Sequence, residues 1–106
     1  MAEEIHVLLA DDHPVVRQGL RAFLESRDGM AVVGEAANGV EAVAAAARLR
    51  PDVVVMDLVM PDMDGVTATA RITAMRPAPR VLVLTSFAAE EQVVRAVRAG
   101  AAGYLM

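Results

Sequence analysis

Five short apolar runs, separated by segments with helical character, constrain the fold of this chain more than any other feature. The runs cover residues 5–10, 30–36, 53–57, 80–86 and 102–106, and Gly34 weakens the second of them. Continuous apolar strands that alternate with helices are typical of a parallel sheet that is covered on both faces. The sequence therefore predicts an α/β domain in which right-handed crossovers connect parallel strands.

Four intervening segments have the apolar spacing and the terminal residues of helices. They begin near Pro14, Asn38, Asp64 and Ala88 and end near Asp28, Arg48, Met75 and Gly100. The apolar positions that we expect to face the core are Val16, Leu20, Phe23 and Leu24 in the first helix and Val40, Val43 and Ala47 in the second.

Composition excludes several classes of protein. The chain has no cysteine, which excludes disulfides and thiolate metal sites, and it has no lysine, which excludes Schiff-base chemistry and a P-loop. The net charge of −4 argues against a nucleic-acid surface. The N-terminus is acidic, unlike a signal peptide, and no apolar run reaches the length of a membrane span. We therefore expect residues 1–106 to form one soluble, cytoplasmic domain.

Polar side chains follow three of the apolar runs. Asp11 and Asp12 end the first run, Asp57 ends the third, and Thr85 lies at the end of the fourth. Ligands of open parallel sheets bind beyond the carboxyl ends of the strands, so these groups converge if the three strands are neighbours. Helix capping is the competing explanation; it accounts for Asp12 and Asp64 but not for Asp57, which lies seven residues before the next helix start.

Clustered carboxylates repel one another, so such a pocket must contain a cation or retain a proton. Oxygen ligands without histidine or cysteine suit Mg²⁺. A carboxylate beside Mg²⁺ and a strand-end hydroxyl has the parts that phosphoryl transfer requires: a nucleophile, a metal that neutralises charge, and a hydrogen-bond donor.

At these positions the sequence resembles the receiver domain of two-component response regulators. The resemblance rests on "ADDH", "MDLVMPDMDG", "LTS" and "GAAGYLM", which follow successive strands at matching spacing and together cover the whole chain. The stretches "DDHPVVRQGL" and "AGAAGYL" are most similar to receivers that precede a LuxR-type helix-turn-helix. The resemblance implies a flavodoxin-like, doubly wound sheet with strand order 2-1-3-4-5.

The resemblance also implies a role for each motif residue. Asp57 matches the phosphoacceptor, and Mg²⁺ would be held by Asp11, Asp12, Asp57 and the backbone carbonyl of Val59. Thr85 matches the switch hydroxyl and Tyr104 the switch aromatic, while Met60, Pro61 and Gly65 shape the loop after the acceptor. The implied partners are a sensor histidine kinase and a second copy of the chain, with DNA contacted only through an effector domain outside it.

In this family a lysine follows the "YLM" of the fifth strand, and a fifth helix follows the lysine. The chain ends at Met106, one position before that lysine. We therefore expect the chain to be a piece of a longer regulator, with the fifth helix and the effector domain absent from it.

Two other functions remain open at this stage. The stretch "DMDGVT", with Asp62 and Asp64, resembles the nucleophile motif of haloacid-dehalogenase-like phosphatases, although Met60 and Pro61 separate it from its strand. The domain could also be a non-phosphorylated dimerisation module. His13 is expected to be a helix-start residue beside the acidic pocket.

Overall fold

The apolar runs form one parallel sheet in the computed structural model of the protein, which describes residues 4–84 and 90–105. Within these residues the strands are β1 (Ile5–Ala10), β2 (Met30–Ala36), β3 (Val53–Met56), β4 (Arg80–Leu84) and β5 (Gly103–Leu105). The helices between them are α1 (Pro14–Glu25), α2 (Gly39–Leu49), α3 (Gly65–Thr73) and α4 (Glu90–Arg98). The strand order β2-β1-β3-β4-β5 confirms the predicted flavodoxin-like topology.

The interior strands carry apolar side chains on both faces, and most of these side chains are buried. Leu8 pairs with Val54, which pairs in turn with Val81, and all three side chains are buried. The pairing of β1 with β2 shifts by one residue where Leu8 meets Gly34. Leu49 of α2 lies so close to Gly34 that a Cβ there would be 2.6 Å from the leucine Cδ1. The glycine that weakens β2 thus permits close packing of α2.

The core consists of a large and a small apolar cluster, which use alternate side chains of β1. The large cluster contains Leu8 and Val54 together with side chains of α2, α3 and α4, such as Ile72. The small cluster contains Val7, Leu9 and Val32, against which Leu20 and Leu24 of α1 pack. Helices therefore cover both faces, as the continuous apolar runs predict.

The predicted inner faces of α1 and α2 were partly wrong. In α1, Phe23 has 55% of its surface exposed and stacks under the Arg27 guanidinium, 4.9 Å from the ring centre. In α2 the buried positions are Gly39, Ala42, Ala45 and Ala46, whereas Val40 and Ala47 are exposed. Small side chains let α2 pack closely against β2 and α3, so alanine rather than valine marks its buried face.

The first residues of the helices show which of the predicted polar residues make capping hydrogen bonds. Asp64 accepts a hydrogen bond from the backbone N–H of Thr67 and so caps α3 as predicted. Asn38 accepts one from that of Glu41 and caps α2, whose start was predicted there. The N-cap of α1 is His13, whose side chain makes no capping bond within the described part of the chain. Asp12 therefore does not cap α1, and the capping explanation for it was wrong.

Among residues 4–84 and 90–105, none of the helices has the length and apolar character that a membrane span requires.

Candidate functional site

The candidate site lies at the carboxyl edge of the sheet, where β1 and β3 end side by side. The strand ladder continues one residue beyond each strand, because Asp11 N–H bonds to Ala36 O at 3.0 Å and Asp57 N–H to Ala10 O at 2.9 Å. The side chains of Asp11, Asp12, His13 and Asp57 each place one ligand atom within 4.8 Å of the others. Strand register thus sets the backbone spacing of Asp11 and Asp57.

Asp57 is half-buried at the end of β3, and its surroundings oppose its negative charge. Burial raises the pKa of the Asp57 carboxyl above its usual value, and the charges of Asp11 and Asp12 raise it further. The N–H of Val59 donates to Asp57 Oδ1 at 3.2 Å, which holds the carboxylate and opposes part of this rise in pKa. A cation or an electrophile at this position would relieve the unfavourable charge.

Asp11 organises the first turn after β1. Its Oδ1 accepts hydrogen bonds from the backbone N–H of His13 at 2.7 Å and from His13 Nδ1 at 2.9 Å. This hydrogen bond, and then the charge of Asp12, raise the pKa of the His13 imidazole. Sequence reasoning placed His13 near the acidic pocket but missed its contact with it; the adjacent letters D-D-H are the available signal.

Asp12 has a buried oxygen that no described residue satisfies. Its Oδ1 lies 3.0 Å from His13 Nδ1, but the ring nitrogen bonds to Asp11, and no described residue donates a hydrogen bond to this buried oxygen. A buried carboxylate oxygen without a donor is costly, and a cation would satisfy it. Three carboxylates with one unsatisfied oxygen fit the oxygen-rich coordination of Mg²⁺.

Buried side chains and a backbone hydrogen bond fix the loop from β3 to α3. Leu58 and Met60 are buried, while Val59 between them is exposed. The N–H of Gly65 bonds to Leu58 O at 2.9 Å, and a Cβ on Gly65 would lie 2.2 Å from Asp57 O. Only glycine therefore allows α3 to begin this close to the backbone of Asp57. That the Val59 carbonyl serves as a metal ligand stays a prediction.

A second glycine, Gly39, directly follows the predicted helix start at Asn38 and contacts the same loop. The N–H of Gly39 donates to Met63 O at 3.1 Å. A Cβ on Gly39 would lie 2.2 Å from that oxygen, so the start of α2 lies directly against the loop. The pair Asn38-Gly39 predicts a helix start but carries no signal for this contact.

The other residues that were predicted to have a functional role are not part of the acidic cluster in the described structure. Asp64 caps α3, and Asp62 is exposed with a φ of 67°, so neither joins the acidic cluster. This placement gives no support to the phosphatase motif. Tyr104 lies on β5 opposite Val83 and is half-exposed. Thr85 lies outside the described residues.

Known proteins share both the sequence and the fold. The family profile described as "Response regulator receiver domain" matches residues 7–106. The transcriptional regulatory protein LiaR of Bacillus subtilis (strain 168) is 49% identical over 102 residues, which are 96% of this chain and 48% of LiaR. The chain thus spans about half the length of the curated relatives that it matches.

Solved structures agree with this assignment. The response regulator domain of Thermotoga maritima CheB superposes with a TM-score of 0.92 at 36% identity, over 98% of this chain and 78% of that one. A LuxR-family two-component response regulator from Aurantimonas sp. SI85-9A1 superposes with a TM-score of 0.89 at 41% identity, over 96% and 73% of the two chains.

Proposed function

Because the chain belongs to the response regulator receiver domain family, we propose that it receives a phosphoryl group on Asp57 and thereby controls the output of a two-component signalling protein. The observation that carries this proposal is the position of Asp57, whose half-buried carboxylate lies at a strand end among two further carboxylates. An uncompensated charge in such a place favours bond formation to an electrophilic phosphorus.

The chain's own residues have distinct parts in this reaction. One carboxylate oxygen of Asp57 would form the new bond to phosphorus while the bond to the donor's leaving group breaks, and the leaving group keeps that electron pair. The N–H of Val59 holds Asp57 Oδ1 and so orients the other oxygen for attack. Gly65 and Met60 fix the backbone on which the carboxylate is mounted.

Mg²⁺ is the cation that we propose for the site. Asp11, Asp12 and Asp57 would hold it, together with the carbonyl of Val59, and the unsatisfied Oδ1 of Asp12 supports this assignment. When bound, Mg²⁺ supplies positive charge that offsets the oxygens of a transferring phosphoryl group.

The wider role follows from the relatives. We propose that residues 1–106 act as one cytoplasmic receiver domain, that a sensor histidine kinase donates the phosphoryl group, and that activation brings two copies together. LiaR is a transcriptional regulatory protein, so the output proposed here is transcription, through a DNA-binding domain of the parent protein. Thr85 and Tyr104 are the proposed switch residues, and this role rests on the family resemblance.

Mass spectrometry after incubation with a small acyl-phosphate donor and Mg²⁺ tests the proposal. We expect one phosphoryl group on Asp57, none in Asp57→Asn, and much less when Mg²⁺ is chelated. Asp62→Asn and Asp64→Asn are matched controls, because both remove an exposed acid of the neighbouring loop, and both should be phosphorylated like the wild type. Modification at Asp62 would favour the phosphatase function, and absence of modification would favour the dimerisation module.

A further inference from the structure

We propose that Arg17 is a positioning residue for the acidic cluster: it holds the Asp11–Asp12 peptide so that both carboxylates face the cation. This role rests on the proposed function, because the cation is the Mg²⁺ of the phosphorylation site. Arg17 lies in α1, within the stretch "DDHPVVRQGL", and no individual role was predicted for it.

The guanidinium of Arg17 bridges two different structural elements. Its Nε donates to Glu35 Oε1 of β2 at 3.0 Å, and one of its terminal nitrogens donates to the backbone carbonyl of Asp11. That carbonyl belongs to the peptide that joins Asp11 to Asp12. Fixing this peptide therefore fixes the starting direction of both side chains.

The bridge is more than a surface ion pair. The Arg17 side chain is 18% exposed, whereas that of Arg21 is 42% exposed. Arg17 is therefore the more buried of the two arginines that pair with Glu35. Glu35 is itself oriented, since Arg21 donates to its second oxygen. Hydrogen bonds from Arg21 and then Arg17 keep the pKa of Glu35 below its usual value, so the acceptor stays ionised. Residues that orient ligands in this way change metal affinity by about 10–100-fold when removed.

Electrostatics alone would give the opposite effect. Arg17 is a cation close to a cation site, so removing its charge without other change should strengthen Mg²⁺ binding. Loss of positioning should weaken it. The sign of the change in affinity therefore separates the two roles.

The experiment compares Mg²⁺ dissociation constants, measured by calorimetry, for the wild type, Arg17→Ala and Arg21→Ala. Arg21 is the matched control, because it pairs with the same glutamate but donates to no described atom of Asp11. We expect about tenfold weaker binding for Arg17→Ala and a change of less than about twofold for Arg21→Ala. Equal or tighter binding by Arg17→Ala, or equal losses in both variants, would overturn the proposal.

A conservative variant guards against a merely structural effect. Arg17→Lys keeps the charge and can pair with Glu35, but it lacks the planar fork that reaches Asp11 O at the same time. We expect Arg17→Lys to unfold at the same urea concentration as the wild type. Its Mg²⁺ binding should still be at least about threefold weaker than that of the wild type. Full recovery of binding would show that pairing with Glu35 is sufficient and that the bridge to Asp11 O is not needed.

A measurement without metal keeps the proposal separate from the proposed function. Amide hydrogen exchange of residues 11–13 in the metal-free protein should be faster in Arg17→Ala than in the wild type and unchanged in Arg21→Ala. If the wild type fails to bind Mg²⁺, the metal assignment is wrong, and this exchange still decides whether Arg17 holds the peptide. Unchanged exchange in Arg17→Ala would refute the positioning role.

Discussion

The charge of Asp57 is unfavourable in the folded, metal-free protein, and this has a measurable cost. Its pKa is raised, chiefly by burial, so the folded state retains the proton to higher pH than the unfolded state does. Stability therefore falls as pH rises from the unfolded value of 3.8 through the raised folded value, and the cost is complete above the latter.

We predict that Asp57→Asn stabilises the metal-free domain at pH 7, by about 2–5 °C in Tm. The amide keeps an oxygen for the Val59 N–H but carries no charge. The advantage should shrink as pH falls and vanish below about pH 4, where the wild-type carboxyl is protonated in both states. Thermal unfolding followed by circular dichroism across this pH range measures it.

Mg²⁺ provides the control for this prediction. It should raise the Tm of the wild type more than that of Asp57→Asn, because the variant has lost one ligand. A wild type that is the more stable protein at pH 7 without metal would contradict the account of Asp57.

Some residues of the candidate site could be predicted from the sequence, and others could not. Asp11, Asp12 and Asp57 were predictable as a group, because they stand at the ends of two apolar runs and parallel strands end at one edge. Arg17 was not predictable, because its contact with Glu35 joins residues 18 positions apart across α1 and β2. The sequence pattern locates the ends of β1 and β3 to within about one residue, but the neighbours of a long side chain depend on the packing of the finished fold.

The junction between β3 and α3 lies directly against the backbone of Asp57, the proposed acceptor. We predict that Gly65→Ala destabilises the domain by at least about 2 kcal/mol and lowers the rate of phosphorylation, because the added Cβ would lie 2.2 Å from Asp57 O. Urea unfolding and the mass-spectrometric assay above report the two effects.

Gly19→Ala is the matched control for that substitution. Gly19 lies within α1, and a Cβ there would have no atom of the described structure within 4 Å apart from its chain neighbours and its own helix backbone. Alanine should therefore stabilise the domain by about 0.5–1 kcal/mol through helix propensity and leave phosphorylation unchanged. Equal losses in both variants would show that the close approach at Gly65 has no special importance.

Most helices and strands were predictable from apolar runs and from the residues that begin or end them. Their buried faces and exact ends were predicted less accurately. The prediction for β3 included Asp57, whereas the strand ends at Met56, and α3 ends at Thr73 rather than near Met75. In α2 the prediction followed Val40 and missed Ala42, because alanine gives a weak hydrophobic signal even when it is completely buried. The close contacts that favour alanine exist only in the assembled layers.

At the scale of the whole molecule, the two faces of the sheet contribute unequally to stability. The large cluster beneath α2, α3 and α4 holds most of the described buried side chains, and the small one beneath α1 contains three. We predict that Ile72→Ala in the large cluster costs about 3 kcal/mol, and Leu24→Ala beside the small one about 1 kcal/mol. Urea unfolding of both variants measures the difference; equal costs would show that the faces contribute alike.

The topology itself was predictable because helices and apolar strands alternate throughout the chain. Strand order came from the family resemblance rather than from periodicity, since the apolar runs do not say which strands are neighbours. Gly34 was recognised as a weak point of β2, but neither the register shift beside it nor the packing of Leu49 against it could be predicted from the sequence.

The continuation of the strand ladder to Asp11 and Asp57 has a consequence for protein design. Hydrogen-bonded strands lie about 4.7–4.9 Å apart, so the backbone separation of these two aspartates is a repeat distance of the sheet. Loops between β1 and β3 can change in length without altering it, whereas a one-residue slip of β3 would turn the Asp57 side chain to the opposite face. An engineered parallel sheet would need only two adjacent strands in this register, each followed by an aspartate, to reproduce the pair of carboxylates.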